Sequence, residues 1–165
     1  MRKNAEAAQI LYTIADLLEV QEVRWKPEAY RRAARSIENL AEDIAVLVND
    51  HRVQEIPGVG EHIAEKINEF VRTGRLGYLE KLRKQTPIHI EEFSGIEGLG
   101  PKTLGRLYRE LGVRTVEDLR NAAAAGKVRR LHGLGEKKEE QILSGIERLE
   151  NRPLQRILLG HAAPI

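Results

Sequence analysis

Ile56-Pro57-Gly58-Val59-Gly60 lies between two stretches of helical sequence, and its pattern occurs twice more in the chain. It recurs forty residues later as Ile96-Glu97-Gly98-Leu99-Gly100, and thirty-five residues after that as Leu131-His132-Gly133-Leu134-Gly135. All three copies read apolar-x-Gly-apolar-Gly, and an amphipathic segment follows each one. The repeat therefore predicts three tight turns, each of which opens a helix.

The rest of the chain has helical periodicity as well. Apolar residues recur at helical spacing from Asn4 to Leu18, and Pro27 suits the first turn of a second helix. From Tyr30 to Val48 they form one continuous apolar face, which predicts a single helix. No stretch alternates with period two, so we expect an all-α protein. The opposite, solvated face of the second helix is predicted to carry Arg31, Arg32, Arg35, Glu38 and Glu42.

Local signals set several helix ends. Thr73-Gly74 predicts a C-terminus at the glycine, and Thr115 with Asp118 predicts a capping box at the start of a helix that Gly126 ends. We also expect a helix before each glycine turn, over residues 44–53, 88–93 and 116–125.

Gln85-Thr86-Pro87 predicts a linker, because proline cannot continue the preceding helix. We therefore expect one domain over residues 1–85 and a second over 86–152. Pro153 begins another apolar segment, so residues 153–165 are interpreted as the start of a further domain.

Composition excludes several classes of protein. The 165 residues include no cysteine, which excludes disulfides, thiolate nucleophiles and cysteine-based metal sites. No apolar run is long enough to span a bilayer, and the acidic residues of the first segment exclude a signal peptide. We expect a soluble, cytoplasmic protein without a membrane partner. With 27 basic and 25 acidic residues, the net charge of +2 does not by itself indicate a polyanionic partner.

A Gly-x-Gly turn before a helix has two interpretations. The glycines can serve only the sterics of a tight turn between helices. They can also leave the first N–H groups of the following helix free to bind an anion, commonly a phosphate. No strand precedes any copy, which excludes a dinucleotide-binding fold. The three copies favour binding of a phosphate backbone, with Lys102 and Lys137 directly behind two of the turns.

This is the helix-hairpin-helix pattern, and nearly the whole chain resembles the N-terminal region of family X DNA polymerases. The motif over residues 56–67, with Thr73-Gly74 behind it, is similar to the first hairpin of that family. Upstream, Ala29-Tyr30-Arg31-Arg32-Ala33-Ala34 resembles a segment of the family's small lyase domain. Downstream, residues 96–101 and 115–120 are similar to its second hairpin and the helix after it, and the third hairpin resembles the bacterial and archaeal branch. The resemblance does not include the catalytic palm, to which Mg²⁺ would belong.

The resemblance implies roles for individual residues. Lys66 falls on the lysine that forms a Schiff base with 5′-deoxyribose phosphate, and the alternative is an ordinary solvated lysine near Glu65 and Glu69. Trp25 takes the place of an aromatic ring that stacks on a template base, and the alternative is a core residue. The implied 5′-phosphate and template ligands are Trp25, Lys26, Tyr30 and His62. Lysines of the family pattern are replaced by Gln54, His62 and Tyr78.

The hairpins carry the remaining implied contacts. DNA phosphates would bind near Gly58, Gly60, Gly98, Gly100, Lys102, Gly133, Gly135 and Lys137. Backbone carbonyls would hold a monovalent cation, Na⁺ or K⁺, at Gln54, Ile56 and Val59 in the first hairpin and at Ser94, Ile96 and Leu99 in the second. Such contacts fix register without reading sequence.

Three functions stay open at this point. The first is the DNA-binding part of a family X repair polymerase. This polymerase would be a monomer that associates with the nucleoid in the cytoplasm of a prokaryotic cell. It would bind gapped, nicked or 5′-phosphorylated DNA and carry lyase activity at Lys66. The second is a non-catalytic tandem helix-hairpin-helix module of a nuclease or recombination factor, and the third is a helical protein-interaction domain.

Overall fold

The computed structural model describes residues 2–151, which contain helices and turns and no β-strand. They fall into two compact units, one ending at Pro87 and the other beginning at Ile88. The all-α prediction is confirmed for the described residues. The predicted start of a further domain at 153–165 lies outside them.

The first unit contains five α-helices around an aliphatic core. The longest, α1, packs along α2, and their contact buries Ile14, Leu17 and Ile37 completely. At the hydrophobic effect's usual ~25 cal/mol per Å², each such side chain contributes about 1.5–3 kcal/mol. The helices are α1 (Arg2–Val20), α2 (Lys26–Glu38), α3 (Ile44–Asn49), α4 (Glu61–Thr73) and α5 (Gly77–Gln85).

The single helix predicted over residues 30–48 is wrong, because α2 ends at Glu38 and α3 begins at Ile44. The Asp43 side chain caps α3 by accepting from the amide of Ala45 at 2.8 Å. The buried Asn4 side chain holds the break, since it accepts from the Ile44 amide at 2.7 Å and donates to the Glu42 carbonyl at 2.9 Å. The apolar face continues across the break, so periodicity alone could not reveal it.

Up to residue 151, the second unit has three α-helices, α6 (Pro101–Leu111), α7 (Val116–Ala124) and α8 (Gly135–Glu150). The predicted capping box of Thr115 and Asp118 is confirmed at the start of α7, as is the helix end at Gly74 in the first unit. The predicted helices directly before the glycine turns are wrong in part. Each turn instead follows a short 3₁₀ segment, namely Val53–Glu55, Ile90–Phe93 and Val128–Arg130.

Candidate nucleic-acid interface

The three glycine turns, which we call hairpin 1 (residues 56–60), hairpin 2 (96–100) and hairpin 3 (131–135), share one backbone turn. In each, the fourth residue donates its amide to the carbonyl of the first, at 3.0, 3.3 and 3.1 Å. The first glycine of each has a positive φ, 83° at Gly58, 81° at Gly98 and 83° at Gly133. This is the third position of a type II turn, which requires glycine, and Pro57 suits the position before it.

The second glycine of hairpins 1 and 2 has a different reason to be glycine. Gly60 and Gly100 are extended N-caps, with φ of −89° and −92°, which any residue adopts. A Cβ built on either would meet no atom within 4 Å. The fold therefore does not need these glycines, and they leave open the approach to the first N–H groups of α4 and α6. That arrangement suits close contact with an anion such as a phosphate.

Hairpin 3 departs from the other two at its second glycine. Gly135 is the first residue of α8 and has a φ of +70°, and Leu134 before it is already helical at −93°, −57°. The predicted phosphate contacts at Gly133, Gly135 and Lys137 therefore lie on a backbone that is not equivalent to hairpins 1 and 2. Identical sequence spacing could not reveal this difference.

Cationic side chains from neighbouring helices donate hydrogen bonds to backbone carbonyls of hairpins 2 and 3. Lys138 on α8 donates to the carbonyl of Gly98, and Arg106 on α6 donates to the carbonyl of His132. Each hairpin of the second unit is thus fixed to the helix that follows the other hairpin. The predicted ligands Lys102 and Lys137 are exposed and form no ion pair with residues 2–151, so their ammonium groups are accessible to a phosphate.

In the first unit, Lys66 lies on α4 against an aromatic pair. Its ammonium is 4.6 Å from the centre of the Tyr78 ring, and Tyr78 stacks on Tyr30 with ring centres 6.3 Å apart. The Lys66 amine also donates to the carbonyl of His62 at 3.4 Å. Tyr78 therefore brings two predicted site residues, Tyr30 and Lys66, together, whereas the contact of Lys66 with His62 is made by the His62 backbone within α4. From the sequence, Tyr78 is recognisable only as a residue that replaces a lysine of the family pattern.

The surroundings of Lys66 act on its protonation in both directions. Partial burial lowers the pKa of the Lys66 amine below its usual 10.5, and the charge of Lys26 lowers it further, whereas Glu65 and Glu69 oppose the shift. The lowering wins, so Lys66 is a better amine nucleophile at neutral pH than a fully solvated lysine. Burial and the contact with Tyr78 raise the pKa of the Tyr30 hydroxyl, which therefore stays a protonated donor.

Trp25 stands directly before α2 in a strained turn. Its φ is 71° and its ψ −45°, and the Lys26 amide donates to the Arg24 carbonyl across it at 2.8 Å. This positive-φ γ-turn is rare for any residue and a clear outlier for a bulky one. The ring is 86 % exposed, so the interpretation of Trp25 as a core residue is wrong. An exposed indole beside Lys26 can stack on an unpaired base.

The predicted cation sites are formed by backbone carbonyl oxygens, which are suitable ligands for a monovalent ion. All are backbone carbonyls, as in other proteins that bind Na⁺ or K⁺ through the main chain. The carbonyls of Ile56 and Ile96 each accept one amide of their own turn, which leaves a second lone pair. At hairpin 2, the Lys138 ammonium already lies on the neighbouring carbonyl of Gly98. Within residues 2–151, no group of three His, Asp or Glu side chains could hold a metal ion.

The described part of the chain contains no helix that is both long and apolar enough to cross a bilayer. Its two units belong to the class of helical proteins in which exposed glycine turns connect the helices. Comparison with known proteins assigns both units to this class. Residues 2–76 match the family model of a helix-hairpin-helix domain, and residues 90–148 match a SAM-like helix-hairpin-helix tandem.

Known relatives narrow the class. The chain is 32% identical over 158 residues to the DNA polymerase/3′-5′ exonuclease PolX of Bacillus subtilis, covering 95% of this chain and 27% of that protein. It is 30% identical over 121 residues to DNA polymerase lambda of Rattus norvegicus, covering 73% of this chain and 20% of that one. DNA polymerase lambda of Arabidopsis thaliana is 32% identical over 108 residues, which are 65% of this chain and 20% of the plant protein.

The chain corresponds to the N-terminal helix-hairpin-helix region of the family X DNA polymerases. It spans between a fifth and just over a quarter of the length of these relatives.

Proposed function

We propose that this region holds gapped or nicked DNA with a 5′-phosphate for a repair polymerase, and that Lys66 removes 5′-deoxyribose phosphate from that DNA. The observation that carries the proposal is the position of the Lys66 amine. It lies 4.6 Å from the Tyr78 ring, with its pKa lowered by partial burial and by the charge of Lys26. Lys26, Tyr30 and His62, which lies one turn before Lys66 on α4, would donate to the 5′-phosphate, and Trp25 would provide a ring for the template base.

The chemical step uses Lys66 as an amine nucleophile. The neutral amine adds to C1′ of the ring-opened sugar, and the adduct takes up one proton from solvent and loses water, which gives a protonated imine. The imine acidifies C2′; when a base removes the C2′ proton, the C3′–O bond breaks and the phosphate leaves with the electron pair. Hydrolysis of the imine then releases the sugar and regenerates the amine.

Hairpins 1 and 2 hold the DNA on either side of the gap through backbone N–H groups, without reading its sequence. We include a monovalent cation on the carbonyls of each of these hairpins, at residues 54, 56 and 59 and at residues 94, 96 and 99. In this proposal, residues 1–85 and 86–152 form the two domains. The protein acts as a monomer in the prokaryotic cytoplasm, where it associates with the nucleoid. Nucleotide addition with Mg²⁺ would belong to a palm domain of the kind that the relatives' polymerase activity requires.

Borohydride trapping on DNA with a 5′-deoxyribose phosphate tests the proposal. We expect a covalent adduct that Lys66→Ala abolishes and Lys84→Ala, an exposed lysine of the same unit, retains. Binding of 5′-phosphorylated gapped DNA without any adduct would instead support the non-catalytic tandem module. The acidic neighbours Glu65 and Glu69, which favour the charged amine, are the observation in favour of that second function. Undetectable binding at low salt by the folded chain would contradict both.

A further inference from the structure

Arg32 on α2 lies across hairpin 1. A Cβ built on Gly58 would come within 2.9 Å of Arg32 Cδ and 3.0 Å of Arg32 Cγ, so the aliphatic part of this side chain covers the first glycine of the hairpin. The fully buried Ala33 and Ala34 allow α2 to pack closely in this region. Arg32 is exposed, so its guanidinium is accessible to solvent beside the hairpin.

The other two arginines of α2 are neutralised. Arg31, predicted to be solvated, is instead partly buried and pairs with Asp16 at 3.0 Å and Glu19 at 2.8 Å. Arg35 pairs with Glu28 at 2.9 Å. Arg32 forms no ion pair with any of residues 2–151, and Glu28, which pairs with Arg35, acts on its charge only at longer range.

A comparison of the three hairpins distinguishes Arg32 further. At hairpin 2 the side chain over the first glycine is the neutral Gln141, whose Nε2 would lie 2.8 Å from a Cβ on Gly98. At hairpin 3 it is Arg106, which donates to the His132 carbonyl and pairs with Glu110 at 2.9 Å. Within the described residues, hairpin 1 is the only hairpin whose covering side chain is charged and forms no ion pair.

We propose that Arg32 binds a phosphate of the DNA strand held by hairpin 1. The inference rests on the proposed function, because it requires that hairpin 1 binds DNA. The planar guanidinium suits two parallel hydrogen bonds to a phosphate. Its stem is fixed over the same turn that opens the first N–H groups of α4, so both donors face one strand. Arg32 thus supplies at hairpin 1 a phosphate contact from the side chain that covers the first glycine, a contact that Gln141 and Arg106 do not supply at hairpins 2 and 3.

The test compares Arg32→Met with Arg35→Met in binding 5′-phosphorylated gapped DNA across a series of salt concentrations. Both substitutions remove one charge from the same helix and keep an unbranched stem. We expect Arg32→Met to reduce the log–log salt slope by about 0.7–0.9, which is about 5- to 8-fold in affinity at 0.1 M salt. Arg35→Met should leave the slope unchanged, because Glu28 already neutralises its charge.

The outcomes separate the two proposals. If the wild-type chain does not bind this DNA, the proposed function fails. If it binds and the two variants behave alike, only the role of Arg32 is overturned. An affinity loss without a change of slope also overturns it, since that would reflect packing over Gly58. Arg32→Lys keeps the charge and should keep the wild-type slope, and a slope as low as that of Arg32→Met would contradict the proposal.

Discussion

The amine of Lys66 lies 4.6 Å from the centre of the Tyr78 ring, which itself stacks on Tyr30. The ring removes water from one side of the amine, and this favours its neutral form. It also attracts the charged form by a cation–π interaction, worth about 0.5–1 kcal/mol at such exposed sites. Tyr78 thus limits the freedom of the Lys66 side chain and holds its nitrogen beside the proposed phosphate ligands.

The charges around Lys66 give opposite predictions for two substitutions. Glu65→Gln should lower the pKa of Lys66, because it removes a carboxylate that favours the ammonium, and Lys26→Gln should raise it. Exposed charge pairs are worth about 0.2–1 kcal/mol, so each shift should be about 0.15–0.7 units. NMR titration of the labelled Lys66 side chain measures both shifts without DNA. Shifts of the same sign in the two variants would contradict this account of the site.

Trp25 is predicted to bind DNA at the expense of stability. Trp25→Ala and Trp25→Gly should both weaken binding to a single-stranded template by about 5- to 150-fold, since stacking is worth about 1–3 kcal/mol per base. Only Trp25→Gly relieves the positive φ of 71°, and strain of this kind costs about 1–3 kcal/mol. Urea unfolding followed by circular dichroism should therefore show the glycine variant to be more stable than the alanine variant. Equal stability would mean that the turn is not strained.

Much of the fold could be predicted because its signals are local. The type II turns depend on one glycine each, the capping box on Thr115 and Asp118, and the end of α4 on Gly74. Each of these signals lies within a few residues of the turn, cap or helix end that it determines. The three hairpins could therefore be located from the sequence alone.

What could not be predicted depends on contacts between distant residues. Asn4 holds the break before Ile44 from forty residues away, and Tyr78 reaches Lys66 from the next helix. Arg32 covers Gly58 because α2 packs on hairpin 1, which no periodicity encodes. The sequence therefore predicts which residues form the candidate site. Which side chains contact one another there, and which charges are paired, depends on how the helices pack.

Glu139 is predicted to stabilise the second unit. Only 1 % exposed, it accepts from the Arg129 amide at 2.9 Å and from its guanidinium at 2.7 Å. Burial raises the pKa of this carboxyl, but the bonds from Arg129 lower it more, so the net pKa is below its usual 4.5. The contribution of ionised Glu139 to the free energy of unfolding is therefore fully present above about pH 4.5. It is lost as the pH falls through the lower pKa that Glu139 has in the folded protein.

Glu139→Gln should cost about 1–3 kcal/mol, since it removes the charge from a buried hydrogen-bonded pair. The only tryptophan, Trp25, lies in the first unit, so backbone amide signals of the second unit should be followed in urea. Wild type and variant should converge in stability at low pH. A difference that does not change with pH would contradict the assignment of the charge to this pair.

Gly58 and Gly60 are only two residues apart, yet they should respond in opposite ways to alanine. Gly58→Ala places a Cβ at a φ of +83° and against the Arg32 stem, so it should destabilise the first unit by about 1–3 kcal/mol. Gly60→Ala has open space and an extended φ of −89°. There the entropy gain of about 0.4–1 kcal/mol and the loss of glycine as N-cap nearly cancel.

Gly60→Ala should nevertheless weaken DNA binding, because its methyl group lies in front of the first N–H groups of α4, where a phosphate would approach. Gly100→Ala should do the same at hairpin 2, which has the same N-cap geometry. Gly135→Ala is the matched control: its φ of +70° predicts lost stability, and because Gly135 is not an extended N-cap we expect little direct effect on binding. Urea unfolding and gapped-DNA binding of all four variants therefore distinguish glycines required by the turn from glycines that admit the phosphate. Wild-type DNA affinity in folded Gly60→Ala and Gly100→Ala would show that the N–H groups of hairpins 1 and 2 are not the contact.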